Sequence, residues 1–236
     1  MPSEAGPASG AAVVPALPPG PHQQVVTRPD GATFRYTLFV PTEYGKAGPS
    51  PLIVALHYAG EVTPFYGRGM IDGFARPGFE KLQPIIAAPD SLGGFWTTEE
   101  NEAAVVWLTR EIMKSYTVDP HKVALTGYSM GGIGTWFIGS KHQDLFTAAI
   151  PVSSAPAGEL NWRIPLYVIH STDDEILAIE PVREHVAMLR ARGAQIEFRE
   201  LSKLSHYNTG SFVPALRDAS SWLAGLWGMS SSPASR

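Results

Sequence analysis

The sequence predicts a single α/β domain, with helices on both faces of a mostly parallel sheet of about eight strands. Three observations predict it. From about residue 24 onward, short apolar runs alternate with segments of helical spacing. A hairpin with its own turn signal precedes that alternation. The chain has 236 residues, 44% hydrophobic and 17% charged, which suits one globular domain of this class.

Met1 to His22 is rich in Pro, Ala and Gly without periodicity, and reads as a disordered tail. A signal peptide would need a basic start and an unbroken apolar stretch, whereas Ala11 to Leu17 is short and interrupted by Pro15. The expected domain spans 23–229, and 230–236 reads as a second, flexible tail.

Gln24–Arg28 and Thr33–Val40 read as antiparallel strands around the turn Pro29-Asp30-Gly31. Pro51–Leu56, Ile85–Ala88, Val123–Thr126, Ala148–Val152 and Leu166–Ile169 are continuous apolar runs of the kind that strands buried on both faces show. Ile196–Leu201 alternates, as a strand nearer an edge does. Helical spacing fills the gaps at Glu102–Tyr116, Ser129–Lys141, Pro181–Arg192 and Phe212–Trp227. The third of these begins on proline and stops at Gly193.

Composition excludes several kinds of chemistry. The net charge of −4 and scattered Lys and Arg give no electrostatic reason to expect nucleic acid as a partner. The chain has no cysteine, so disulfides, thiolate metal sites and a cysteine nucleophile are all ruled out. No stretch approaches the roughly 20 apolar residues of a membrane span. Without a clear export signal, a cytoplasmic location is the expectation, and the oligomeric state is not legible.

One motif carries chemistry. Gly127-Tyr128-Ser129-Met130-Gly131 is a G-x-S-x-G pattern between the strand-like run Lys122–Thr126 and the helix-like run Ile133–Ile138. Strand, sharp turn, helix is the context in which such a serine is raised clear of a sheet, and side chains at the flanking positions would collide with backbone. The first amides of the helix then face the substrate, where they stabilise developing negative charge.

A serine hydroxyl needs a neighbouring base. His206, in Leu204-Ser205-His206-Tyr207 after the last strand, is the candidate; His170 ends a strand and His185 is mid-helix. The acid belongs at the end of the preceding strand, in His170-Ser171-Thr172-Asp173-Asp174-Glu175. Spacing alone does not choose between Asp173 and Asp174. Three carboxylates in a row also suggest a metal loop, but the glycine-punctuated calcium pattern is missing. The oxyanion amides are expected from Met130 and from Ala59, with Tyr58 as neighbouring candidate, in Leu56-His57-Tyr58-Ala59-Gly60. Tyr58, Phe95, Trp96 and Trp162 are candidate substrate-contacting aromatics, with Phe65-Tyr66 a weaker pair.

These segments resemble the phospholipase/carboxylesterase and feruloyl-esterase-like group of α/β-hydrolases. Leu52–Gly60 is similar to its L-x-V-A-L-H-G-x-G segment, Asp119–Gly132 to its D-P-x-R-V…G-x-S-M-G-G segment, and Pro165–Leu177 to its P-x-x-x-x-H-G-x-x-D-x-x-V segment. The resemblance implies a Ser129–His206–Asp174 triad, since the group's aspartate stands four residues after its histidine. It also implies carboxylic ester hydrolysis without a cofactor, and does not fix the substrate. Tyr58 and Ser171 stand where the group has glycine, so the acyl pocket does not carry over.

The stretch between Val152 and Pro165, where lids are commonly inserted, is too short for a folded cap. An open site for short-chain or aryl esters is therefore expected. A peptidase or acyl transferase on the same triad, and a non-catalytic binding member of the fold, are the competing readings.

Overall fold

The structure, a computed structural model, describes residues 14–229. Its frame is one eight-stranded sheet in the order β1-β2-β4-β3-β5-β6-β7-β8. The strands are β1 (Gly20–Thr27), β2 (Thr33–Val40), β3 (Ser50–Leu56), β4 (Ile85–Pro89), β5 (Val118–Tyr128), β6 (Ala148–Val152), β7 (Leu166–Ser171) and β8 (Ile196–Leu201). β2 runs antiparallel to both β1 and β4, and every other pairing is parallel.

β3 shows how the sequence divides the core. Alternate side chains of a strand point to opposite faces. Leu52, Val54 and Leu56 therefore join a cluster with α3 (Glu99–Ser115) and α4 (Met130–Lys141). Ile53 and Ala55 pack on the other face, against residues 70–82 and α6 (Val213–Leu226). Trp136, Leu166 and Val168 build a third cluster with α5 (Glu180–Ala191).

Two stretches differ from expectation. Between β3 and β4 the chain makes an irregular helical run: α1 (Arg68–Met70), a π turn (Ile71–Ala75), α2 (Arg76–Phe79) and a 3₁₀ turn (Glu80–Leu82). Met70, Ile71, Phe74, Phe79 and Leu82 are buried, so the apolar spacing was present. Gly69, Gly73, Pro77 and Gly78 hid it, being residues of poor helix propensity. α3 also begins earlier than expected. Thr98 accepts the Asn101 amide at its N-terminus, and Glu99, Glu100 and Glu102 fill the first turn, where the helix dipole favours negative charge.

Of the segment read as an N-terminal tail, residues 1–13 lie outside the described residues, as does the C-terminal stretch 230–236. Residues 14–22 are mostly exposed but tied to the domain. Val14 is buried, its carbonyl accepts the Ser115 hydroxyl, and the Leu17 amide donates to the Tyr116 hydroxyl at 2.8 Å. β1 starts at Gly20 and pairs with β2 along its whole length.

Residues 153–165 form neither helix nor strand, and no cap domain covers the sheet among the described residues. Among the described residues no helix is long and apolar enough to cross a membrane.

Candidate active site

Parallel strands release their chains at one edge of a sheet, which is where α/β proteins bind ligands. Here the loops after β3, β5, β6, β7 and β8 deliver His57–Ala59, Ser129, Ser153, Asp174 and His206 to that edge.

Ser129 stands between β5 and α4 with φ 55° and ψ −118°. A non-glycine residue held at positive φ costs on the order of 1–3 kcal/mol, which the surrounding packing must offset. The flanking glycines show how tight the turn is. A Cβ on Gly131 would sit 2.0 Å from the Leu56 carbonyl oxygen, and one on Gly127 would sit 2.2 Å from the Gly131 carbonyl oxygen. Both are overlaps with backbone, so a side chain at either position would push the helix off the sheet. Ladder bonds hold the turn, with the Ser129 amide donating to Val152 O at 3.0 Å.

The Ser129 hydroxyl donates to His206 Nε2 at 2.8 Å, and His206 Nδ1 donates to Asp174 Oδ2, also at 2.8 Å. Asp174 Oδ1 accepts the amides of Ile176 (3.0 Å) and Leu177 (2.8 Å). Burial alone would raise the Asp174 pKa. Hydrogen bonds from His206, Ser153, Leu177 and Ile176 outweigh it and hold the carboxyl below its ordinary value. Asp173, the alternative acid, is exposed and accepts the Lys203 amide at 2.8 Å. Among the described residues, the three consecutive carboxylates bond different atoms of the 203–206 loop and form no metal-holding cluster.

Ser153 was not legible as a site residue. It too sits at positive φ, 47°, and is fully buried. Its hydroxyl donates to Asp174 Oδ2 and lies 3.4 Å from His206 Nδ1, so it braces the acid from the β6 side. His170 does not approach Ser129. It donates from Nε2 to Leu177 O at 2.7 Å and so ties the loop that carries the acid. His185 sits on α5 against Trp136, away from this edge.

On the opposite flank, His57 organises the loop that holds Ala59. The Ser91 amide donates to Nε2 at 3.0 Å, which makes that nitrogen the acceptor and puts the proton on Nδ1. Nδ1 then donates to Tyr58 O at 2.8 Å. Asp90 adds two clamps, accepting the amides of Phe65 (2.7 Å) and Gly67 (2.9 Å). Tyr58 and Ala59 line the same groove as Ser129 and His206. Met130 is the first residue of α4, so its amide is among those a helix leaves without an intrahelical acceptor.

Three expected aromatics, Trp96, Trp162 and Phe95, are corrected. Trp96 is buried, with its indole N–H donating to His57 O at 2.9 Å, and it props the loop from beneath. Trp162 is buried against Trp136 and Gly139, on the side of α4 away from the groove. A tryptophan has a large apolar area to bury, and in both cases the core takes it. Phe95 is exposed and is not part of the groove lining, and Tyr66 packs on His57 and Tyr58. The groove of about 390 Å³ is instead walled by Tyr58, Tyr128, Ile176, Tyr207 and Thr209. Ile176 is 50% exposed and Tyr207 77%, so both form its rim. A larger hollow of about 640 Å³ lies over α3, but its buried Glu102 is already paired with Lys141 and His142.

The buried histidines predict how stability depends on pH. Burial lowers the pKa of His57 and His170, against weaker raising effects from a backbone carbonyl and a nearby carboxylate in each case. In the unfolded chain both rings would titrate near the ordinary value of about 6.5. Below that pH the unfolded state takes up protons that the folded state refuses, so stability is lost as the pH drops through this range and is flat above it. Carboxylates with lowered pKa, such as Asp174, act in a lower window, below about pH 4.5. The urea midpoint should therefore drop between pH 7.5 and pH 5. A midpoint constant over that range would mean that the two rings are charged in the folded protein.

Comparison with known proteins agrees with this architecture. No family model matches the chain. Feruloyl esterase D of Neurospora crassa is 24% identical over 200 residues, which cover 76% of this chain and 66% of that protein. Among solved structures, a thermostable esterase superposes with a TM-score of 0.74 at 27% identity, over 87% of this chain and 62% of that one. A ferulic acid esterase gives a TM-score of 0.71 at 18% identity, over 89% of this chain and all of the other. The chain thus spans just under two thirds of the first two proteins. It has the α/β-hydrolase fold and is similar to esterases built on it.

Proposed function

We propose that this protein is a serine carboxylic ester hydrolase that works through an acyl-enzyme on Ser129. The observation that carries the reading is the unbroken relay from Ser129 Oγ to His206 to Asp174, with both hydrogen bonds at 2.8 Å. In the reaction, Ser129 Oγ attacks the ester carbonyl carbon while His206 Nε2 takes the hydroxyl proton. The oxyanion of the tetrahedral intermediate faces the amides of Met130 and Ala59. The C–O bond to the alcohol breaks, and His206 returns the proton to the departing oxygen. A water molecule, deprotonated by the same imidazole, then attacks the acyl carbon and releases the acid and free Ser129. Asp174 holds the imidazole tautomer and stabilises the imidazolium throughout.

The groove supports a small, uncharged ester. Its volume is at the low end of the usual ligand range of about 300–1,000 Å³, and no Asp, Glu, Lys or Arg lines it. Among the described residues no cap encloses a long acyl chain. Short-chain or aryl esters are therefore the proposed substrates. The esterases to which the chain is similar add to this reading.

The test is a p-nitrophenyl series: acetate, butyrate, octanoate and palmitate, with a p-nitroanilide alongside. A preference for the two short esters and no turnover of the anilide is expected, together with stoichiometric phosphonylation of Ser129 by an organophosphonate, read by mass spectrometry. Turnover of the anilide in preference to the esters would make this a peptidase, and absence of labelling would remove the serine mechanism.

A further inference from the structure

Of the three carboxylates in Asp173-Asp174-Glu175, only Asp174 enters the reaction above, yet all three grip the loop that carries the base. Asp173 Oδ2 accepts the Lys203 amide at 2.8 Å, and Lys203 is held at φ 62°, a conformation that a free lysine rarely adopts. Glu175 reaches further along. Its Oε1 accepts the Ser205 hydroxyl at 2.5 Å, and its Oε2 accepts the amide of His206 itself at 2.9 Å. From the opposite side the Tyr128 hydroxyl donates to His206 O at 2.7 Å. Both polar groups of the histidine backbone are therefore bonded to side chains from other strand ends. Residues 202–208 form neither helix nor strand, so regular structure does not supply this rigidity.

We propose that Asp173 and Glu175 are positioning residues for the base: the outer carboxylates clasp the 203–206 loop on the approach to His206, and so set where its imidazole stands relative to Ser129. The proposal rests on the esterase reading of this site. Both carboxylates are exposed, so their hydrogen bonds add little to the stability of the fold. Their effect lies in geometry, because a displacement of about 1 Å at a reacting group can cost on the order of a hundredfold in rate. The bonds also favour the charged forms. The Lys203 amide chiefly lowers the pKa of Asp173, and the Ser205 hydroxyl chiefly lowers that of Glu175.

The experiment compares Glu175→Ala, Glu175→Gln, Asp173→Ala and the control Glu184→Ala on p-nitrophenyl butyrate, each alone and combined with His206→Ala. Glu184 is an exposed residue of α5 and removes the same charge without touching the loop. Glu175→Ala should lower kcat about tenfold to a hundredfold with KM and thermal midpoint nearly unchanged. Glu175→Gln, which keeps one acceptor, should recover part of the loss. Asp173→Ala should show a smaller fall in kcat, and Glu184→Ala none. In the His206→Ala background Glu175→Ala should cause no further loss, because the residue acts only through the imidazole.

Unchanged kcat in Glu175→Ala, or an equal loss in both backgrounds, would overturn the proposal while leaving the esterase reading intact. Full activity of His206→Ala itself would overturn that reading. If Glu175→Ala does not fold, Glu175→Gln and Asp173→Ala carry the same comparison.

Discussion

Ser129→Ala should lower kcat on p-nitrophenyl butyrate by about a millionfold, the typical cost of deleting a triad nucleophile. Residual turnover above the uncatalysed rate is expected, because the Met130 and Ala59 amides would still face a developing oxyanion. The substitution should leave the fold intact. The backbone at residue 129 is held by its ladder bond to Val152 O and by the close approach of Gly127 and Gly131, none of which involves the hydroxyl. Circular dichroism and the urea midpoint should therefore match the parent, while phosphonate labelling disappears. Retention of even a tenth of parental kcat would mean that another group attacks the ester.

Asp174→Asn is expected to cost about ten-thousandfold in kcat, the loss seen where this exchange has been made in other Ser-His-Asp enzymes. Size barely changes, so the effect is one of proton placement. In the native site Asp174 Oδ1 accepts two amides and Oδ2 accepts both His206 Nδ1 and the Ser153 hydroxyl, so every bond at the carboxylate requires it to accept. An asparagine keeps one oxygen for these four donors and turns its NH₂ toward the others. If that NH₂ faces Nδ1, the imidazole must carry its proton on Nε2, where it can no longer take one from Ser129. Activity should recover partially at high pH, where a poorly based serine reacts more readily. Asp173→Asn keeps a carbonyl oxygen for the Lys203 amide and should lose little. Equal losses in the two variants would undo the assignment of the acid.

These expectations draw unevenly on what the chain discloses. The strand order along the sequence was legible because buried parallel strands are continuous apolar runs: β2, β6 and β8 span the ranges that their patterns give, β3, β4, β5 and β7 extend those ranges, and β1 starts earlier but stops one residue short of Arg28. Ser129 was legible because its flanking glycines answer a steric demand that few other structures impose. Ser153 carried no comparable signal. It is one of two adjacent serines, and it meets Asp174, 21 positions further along the chain, only because β6 and β7 end side by side.

The aromatic residues misled for a related reason. Phe95-Trp96 follows β4, which ends at the same sheet edge as β3, but Asn101 ties down the turn, accepting from Leu92 N and donating to Gly93 O and Phe95 O. That arrangement turns the indole inward to His57 and leaves the phenyl ring in solvent. Which side of a loop faces a groove depends on hydrogen bonds between distant segments, and spacing along the chain does not encode them.

The rim of the groove has a bearing on how such a molecule can change over generations. The Ile176 amide is bonded to Asp174 and the Tyr207 amide to the Ser205 hydroxyl, but the two side chains project into solvent. Exposed positions of this kind usually tolerate exchange within about 0.5 kcal/mol. New contours can therefore be tried at the mouth while the reacting atoms stay where the sheet puts them. Selection can retune what the protein accepts without first having to rebuild how it reacts.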